Sequence, residues 1–195
     1  MKRKISVTGL WLVVLVLVAV LASAPLWADG VFGGQILMEY VGQVINGTPA
    51  SSNQFGNLQA VSGVDPSLPL TFYTQAETVK TVANGPLRIV DRTGTTTIYL
   101  TSAPGDFSNP DSFRSGTPVQ ISTLRQQVIV DTSTGAFSVV NINTITSATE
   151  FLSDGEEVQL GEAEQSFRTV LNGHLNTPGM SPTGWFGGYA VRNKN

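Results

Sequence analysis

The stretch QQVIVDTSTGAFSVVNI, residues 126–142, decides the fold class of this chain. Both of its arms are rich in β-branched and aromatic side chains, which is typical of β-strands. Pairing Asp131 with Ala136 leaves TSTG as the connecting loop, and Gly135 can adopt the positive φ that such a loop requires. The stretch therefore predicts a hairpin of two antiparallel strands.

The register of this hairpin places apolar side chains on both of its faces. Val128 lies opposite Val139 on the face that we expect to be the interior, and Val130 lies opposite Phe137 on that same face. The other face combines Ile129 with Ser138, Gln127 with Val140, and Arg125 with Ile142. A solvated face would be cleanly polar. We therefore expect this half-apolar outer face to be covered, by the chain's own loop 101–118 in preference to a partner molecule.

The rest of the chain repeats this pattern. Short runs rich in Val, Ile, Thr, Phe and Tyr are separated by clusters of Gly, Pro, Asn and Asp, and helical periodicity is almost absent after the first 28 residues. Strands are predicted in segments 35–45, 54–63, 70–79, 87–90, 95–100, 119–130, 136–147, 162–175 and 185–193. Residues 91–94, DRTG, are predicted to be the turn of a compact hairpin, with Gly94 at positive φ.

These eight or nine strands are joined mostly by short turns without crossover helices, which indicates antiparallel order. A sheet of about eight strands can close into a barrel whose interior is filled by side chains. Several predicted strands have about 10 to 13 residues rather than the usual 5 or 6, which favours strands that tilt around a cylinder. We therefore predict an all-β fold, a single antiparallel barrel, with a two-sheet β-sandwich as the alternative.

The first 28 residues have the three parts of a secretory signal peptide. The positive segment MKRK is followed by a long apolar run and by a small-residue region that ends at Ala28. We expect a signal helix over 1–28, cleavage before Asp29, and one barrel-like domain over 29–195. The alternative is an uncleaved anchor, because the apolar run approaches the roughly 20 residues of a membrane helix. The domain is predicted to be secreted or extracytoplasmic, in a periplasm or at a cell surface.

Charge and cysteine content restrict the partners and the chemistry. The formal net charge is −3, and removal of Lys2, Arg3 and Lys4 with the signal peptide makes the domain more acidic. An acidic surface repels phosphate backbones and anionic lipids, so neither nucleic-acid binding nor membrane binding after signal cleavage is expected. The chain contains no Cys, so we expect packing rather than disulfides to hold the domain together.

Catalytic and metal-binding patterns are weak. The chain has a single histidine, His174, so a zinc site with two histidines is excluded. No serine lies in a G-x-S-x-G or equivalent motif, so His174 has no recognisable nucleophile to activate. Acidic residues cluster at Asp154, Glu156, Glu157, Glu162 and Glu164, but their spacing does not match a calcium-binding loop. The last two could form a carboxylate pair on one strand face, as glycoside hydrolysis requires. We interpret the cluster as solvated loop acids, and no metal or cofactor is predicted.

Aromatic residues favour binding over catalysis. Trp185, Phe186 and Tyr189 lie together beside three glycines, where amphipathic rings can line a pocket mouth or stack on a sugar. Phe107 and Phe113 lie in the long loop that could complete such a mouth. These five residues are the predicted ligand-binding site, and the alternative is that the aromatic rings plug the barrel end as core.

The predicted architecture is similar to that of lipocalins, which are small secreted barrels. Lipocalins carry a Gly-x-Trp motif near the first strand and usually disulfides. Here the Gly184–Trp185 pair lies near the opposite end of the chain without a spacer. The likeness is therefore one of architecture, and it assigns no family.

Three functions remain in competition at this point. The leading hypothesis is an exported, non-enzymatic β-domain that binds a small apolar or carbohydrate-like ligand or a partner protein. The alternative is a self-assembling cell-surface or matrix subunit, favoured by the half-apolar outer face and by a mature chain with only two lysines, Lys80 and Lys194, to protect strand edges. The third is a glycosidase that uses Glu162 and Glu164.

Overall fold

The computed structural model describes residues 36–48 and 50–192. The predicted signal helix and the predicted mature start at Asp29 lie outside the described residues. The elements are β1 (Ile36–Thr48), β2 (Ser51–Val61), β3 (Leu70–Asn84), β4 (Leu87–Leu100), a 3-10 helix (Pro110–Arg114), β5 (Thr117–Asp131), β6 (Ala136–Ala148), β7 (Phe151–Ser153), β8 (Glu156–Val158), β9 (Ser166–Leu175) and β10 (Gly184–Arg192).

Eight of these strands form a closed antiparallel barrel in the order β1-β10-β9-β6-β5-β4-β3-β2. Closure comes from β1, which pairs with β2 on one side and with β10 on the other. The short strands β7 and β8 form a separate hairpin in the connection between β6 and β9. The prediction of an antiparallel barrel is confirmed, and the β-sandwich alternative is wrong.

The hairpin of β5 and β6 has the register predicted from the sequence. Val130 pairs with Phe137 and Val128 with Val139, and all four side chains face the barrel interior. Gly135 has φ 78° in the connecting turn. Alternation along these two strands was sufficient to predict the pairing because a one-residue slip would turn every apolar side chain to the wrong face.

The predicted hairpin turn at residues 91–94 is wrong. Strand β4 runs through it without interruption, and the turn from β3 to β4 lies at Gly85, which has φ 57°. Gly94 is an extended strand residue, and a Cβ there would lie 2.0 Å from the backbone oxygen of Gln75. Its lack of a side chain serves the close approach of β3 rather than a turn.

Two aromatic rings fill the part of the barrel interior that lies beside a pair of inward-facing glycines. Gly42 and Gly56 are register partners on β1 and β2. Phe186 lies beside Gly42 on β10, and Phe72 lies beside Gly56 on β3. The two rings have centroids 6.2 Å apart, and a Cβ at Gly42 would come within 2.6 Å of the Phe186 ring. The glycines thus provide the space that the two rings occupy.

The two ends of the barrel differ. At one end, Phe151 and Leu160 from the β6–β9 connection are buried against the barrel core and plug the interior. The described chain also enters and leaves at this closed end, where Ile36 pairs with Val191. The opposite end carries the turns β1–β2, β3–β4, β5–β6 and β9–β10, and it is open.

The long loop between β4 and β5 covers part of the outer wall. Its 3-10 helix carries Phe113, which is fully buried with ring centroids 5.1 Å from Phe55 and 5.0 Å from Phe107. Phe55 also stacks on Tyr73 of β3. The Thr71 hydroxyl of β3 donates a hydrogen bond to the Phe113 carbonyl oxygen at 2.8 Å. We call the outer face of β2 and β3 the covered wall.

The outer face of β5 and β6 is not covered by this loop. Ile129, Val140 and Ile142 are exposed there by 39%, 41% and 44%. The expectation that loop 101–118 shields this face is therefore wrong, because the loop packs on the aromatic side chains of β2 and β3 instead. We call the outer face of β5 and β6 the bare wall.

Candidate functional site

The open end of the barrel leads into a cavity of about 1010 Å³. This volume is at the upper end of the range of about 300 to 1,000 Å³ that small-molecule sites occupy. The cavity extends from the turns at the mouth down to a layer of polar side chains in the barrel interior. Its deeper part lies inside the barrel, and its outer part opens to solvent between the turns at the mouth.

The cavity walls below the mouth are largely apolar. Their apolar part is formed by inward side chains that are almost inaccessible to solvent, and these are Val44, Val90, Val128, Phe137, Val139 and Phe186. Each belongs to the face of its strand that alternation directs inward. Gln54, Thr81, Arg88 and Arg92 also line the cavity. A ligand that filled this space would exchange water for aliphatic and aromatic contacts, which stabilises binding by about 25 cal/mol per Å² of buried apolar area.

The floor of the cavity is a polar layer centred on Gln126. Its Oε1 accepts hydrogen bonds from Nε2 of Gln54 at 3.1 Å and from Nη1 of Arg92 at 3.3 Å. Its Nε2 donates to Oδ1 of Asn141 at 3.0 Å. Buried amides that satisfy one another fix the orientation of each side chain. Gln54 and Arg92 of this layer face the cavity directly.

Arg92 is the one charged residue in this polar layer. In the described part of the chain, both hydrogen-bond partners of its guanidinium are neutral oxygens, since Nε donates to Thr78 Oγ1 at 3.4 Å in addition to the bond to Gln126. Burial lowers the pKa of the Arg92 guanidinium from its usual value, because a less polar environment disfavours the charged form. The group still remains protonated at neutral pH. A positive charge therefore lies at the base of an apolar cavity.

The predicted aromatic site is divided by the structure. Phe186 points inward and lines the cavity. Trp185 and Tyr189 point outward on β10 and are exposed. Phe113 is buried in the covered wall, and Phe107 bridges it to Trp185 with a centroid distance of 5.6 Å to the indole. Only one of the five residues therefore faces the space that could hold a ligand.

The remaining candidate groups lie apart from one another. His174 lies at the cavity mouth, where a Cβ on Gly135 would come 3.2 Å from its ring. Glu162 and Glu164 lie in the loop before β9 rather than on a strand, and both are exposed. Within the described part of the chain, no group of three or more His, Cys, Asp or Glu side chains could hold a metal ion.

Arg92 was missed because the DRTG segment was interpreted as a turn. The signal that could have identified it was the Asn84–Gly85 dipeptide, which is among the strongest short hairpin signals. A turn there starts a strand at Leu87. Alternation from the inward Val90 then places Arg92 on the cavity side of β4.

Comparisons with known protein families, with curated proteins and with solved structures found no match to this chain. In the described residues, no helix is both long enough and apolar enough to cross a membrane. The fold and the cavity are therefore the basis for assigning a function.

Proposed function

We propose that this protein is an exported, non-enzymatic binding domain that holds a small, largely apolar ligand inside its barrel. The observation that carries the proposal is the open cavity of about 1010 Å³ with apolar walls. Export rests on the signal-peptide pattern of residues 1–28.

The distribution of packing inside the barrel supports this function. The closed half is filled by large side chains such as Phe72, Leu124 and Phe167, each of which is almost fully buried. The open half is lined in part by smaller side chains, among them Val90, Val128 and Val139, and its space is unfilled. Protein interiors are normally packed without large voids, and a cavity with a few convergent polar groups is typical of a ligand site.

A neutral apolar dye tests the proposal. N-phenyl-1-naphthylamine fluoresces strongly only in an apolar environment, so titration of the native protein should give a saturable increase in fluorescence. The variant Val128→Trp places an indole in the cavity and should weaken binding by about tenfold or more, which corresponds to about 1.4 kcal/mol. The same change at the neighbouring position, Ile129→Trp, points outward and serves as the matched control.

Two results would contradict the proposal. One is a native protein that does not bind the dye at all. The other is dye binding that Val128→Trp and Ile129→Trp reduce equally, since that would place the dye outside the barrel. Circular dichroism of both variants shows whether the barrel is retained.

The bare wall favours a second candidate function, self-assembly between copies of this chain. Ile129, Val140 and Ile142 lie on adjacent strands of this face and are all exposed. Barrel closure leaves no unpaired edge among the eight barrel strands, so contact between copies would use side chains rather than strand pairing.

Sedimentation velocity over a range of protein concentrations tests self-assembly. The native protein should sediment faster as its concentration rises, and Val140→Glu should abolish that increase because it places a charge in the apolar contact. Thr123→Glu, an exposed residue nearer the other end of β5, is the control. A native protein that stays monomeric at every concentration would exclude this candidate.

A further inference from the structure

Resting on the proposed function, we infer that the ligand carries an anionic group and that Arg92 binds this group at the floor of the cavity. The inference defines the class of ligand: an amphipathic molecule with an apolar body and one acidic head, such as a carboxylate. The apolar body would lie against the valine and phenylalanine side chains of the walls.

The first argument is the incomplete pairing of the guanidinium. Arginine has five N–H donors in a planar fork, and Arg92 makes two long hydrogen bonds, both to neutral oxygens of Thr78 and Gln126. Hydrogen bonds between charged groups are usually about 2.7 to 2.9 Å. Among the described residues, no carboxylate lies within ion-pair distance of Arg92.

The second argument is the cost of this arrangement. A partly buried charge without a counter-charge destabilises a fold, and a methionine at the same position would fill similar space without that cost. Gln126 holds the guanidinium in place by accepting its hydrogen bond at Oε1. Gln54 donates to the same oxygen and so fixes the orientation of the Gln126 amide. A charged side chain that lowers the stability of the fold and yet is held in one orientation is typical of a binding group.

The third argument is the charge of the cavity lining. Of the described residues that line it, none is acidic, although Asp and Glu outnumber Lys and Arg in the whole chain. A second arginine, Arg88, lines the cavity on the inward face of β4 nearer the mouth. The cavity is therefore positive inside a negatively charged protein, and an anion entering it would gain interaction energy along its path.

A pair of dyes with the same ring system tests the inference. 8-Anilinonaphthalene-1-sulfonate is N-phenyl-1-naphthylamine with one added sulfonate, so the ratio of their dissociation constants isolates the contribution of the anionic group. The native protein should bind the sulfonate at least about tenfold more tightly than the neutral dye. Arg92→Met should remove this preference, so that the ratio of the two dissociation constants falls to about one.

Two further variants and three competitors complete the experiment. Arg125→Met removes a positive charge from the outer face of β5 and should leave the preference unchanged. Octanoate and octyl phosphate should displace the sulfonate dye from the native protein better than octan-1-ol, and their order identifies the acidic head that fits. Arg92→Lys keeps the positive charge but lacks the planar guanidinium, so it should retain part of the preference for the sulfonate dye.

The outcomes separate the two proposals. Equal affinity of the native protein for both dyes, or an unchanged preference in Arg92→Met, would overturn the anionic inference while the cavity function stands. Loss of binding for both dyes in the native protein would overturn the cavity function itself. The affinities of the native protein for the two dyes are compared without any variant. A folding defect in Arg92→Met would therefore leave this test of the anionic inference intact.

Discussion

The covered wall and the bare wall are both outer faces of the same barrel, and both carry apolar side chains. On the covered wall, Phe55 and Tyr73 lie beneath Phe113 and are almost inaccessible to solvent. On the bare wall, Ile129 and Val140 remain about two-fifths exposed. The difference is in the kind of side chain, because an aromatic ring offers more area for a loop to bury than a branched aliphatic side chain does.

The comparison shows that an apolar outer face does not by itself attract a covering loop. The long loop carries its own aromatic residues, Phe107 and Phe113, and these pack on other rings. Arg114 of the same loop also lies 5.0 Å from the centroid of the Tyr73 ring, a cation–π arrangement. Partially exposed aliphatic residues are common on protein surfaces, so the bare wall requires no cover for the barrel to be stable.

The largest effect is expected from Phe113→Ala. Removal of this ring leaves a cavity between the loop and Phe55, and substitutions of this kind cost about 3 to 5 kcal/mol. Urea unfolding followed by circular dichroism measures the loss. Phe107→Ala should cost less because Phe107 is only partly buried. A loss below about 1 kcal/mol for Phe113→Ala would show that the loop is not part of the cooperative core.

A smaller effect is expected from Thr71→Val. The hydroxyl of Thr71 is buried and donates to the Phe113 carbonyl, so its removal leaves a buried acceptor unpaired at a cost of about 2 kcal/mol. Thr123→Val is the control on β5, because the Thr123 hydroxyl makes only an exposed bond of 3.4 Å. Equal unfolding midpoints for the two variants would contradict this interpretation of the covered wall.

Next in size is Asn57→Ala, which affects the start of the covering loop. The Oδ1 of Asn57 accepts a hydrogen bond from the Gly105 amide at 2.8 Å in a partly buried position. Its loss should cost about 1 kcal/mol and should accelerate hydrogen exchange in residues 101–116 more than in β5. Uniform exchange throughout the chain would indicate that the loop does not open on its own.

The smallest effect is expected on the bare wall. Ile129→Thr keeps a β-branched side chain on an exposed strand position and should change the free energy of unfolding by no more than about 0.5 kcal/mol. Val128→Thr, one position earlier, faces the cavity wall and should cost more because it places a hydroxyl among apolar side chains. If the two variants melted alike, the assignment of inner and outer faces on β5 would be wrong.

Strand alternation predicted much of the fold and little of the site. The β5–β6 register followed from the sequence because its two faces differ in composition and its turn contains a glycine. The covering loop was misplaced because the half-apolar outer face of β5 and β6 indicated a need for cover, whereas the loop packs on Phe55 and Tyr73. Which outer rings become neighbours depends on pairing across strands distant in sequence, and no local pattern contains that information.

Positions that line the cavity were harder to predict for a related reason. A cavity remains where the side chains from opposite sides of the barrel do not fill the space between them. All eight barrel strands contribute residues to its lining, so no single segment has a recognisable signature. Phe186 was predicted through its aromatic neighbours, whereas Arg92 required the correct position of one turn.

The described chain enters and leaves the barrel at the plugged end, since Ile36 is paired with Val191. A tag, a fusion partner or a solid support joined directly before Ile36 or directly after Arg192 would therefore adjoin the sealed base. The mouth would point away from the point of attachment and stay accessible to dissolved molecules. Immobilising the protein directly before Ile36 or directly after Arg192 should leave uptake of the neutral dye unimpaired, whereas cross-linking through the rim turns should obstruct it.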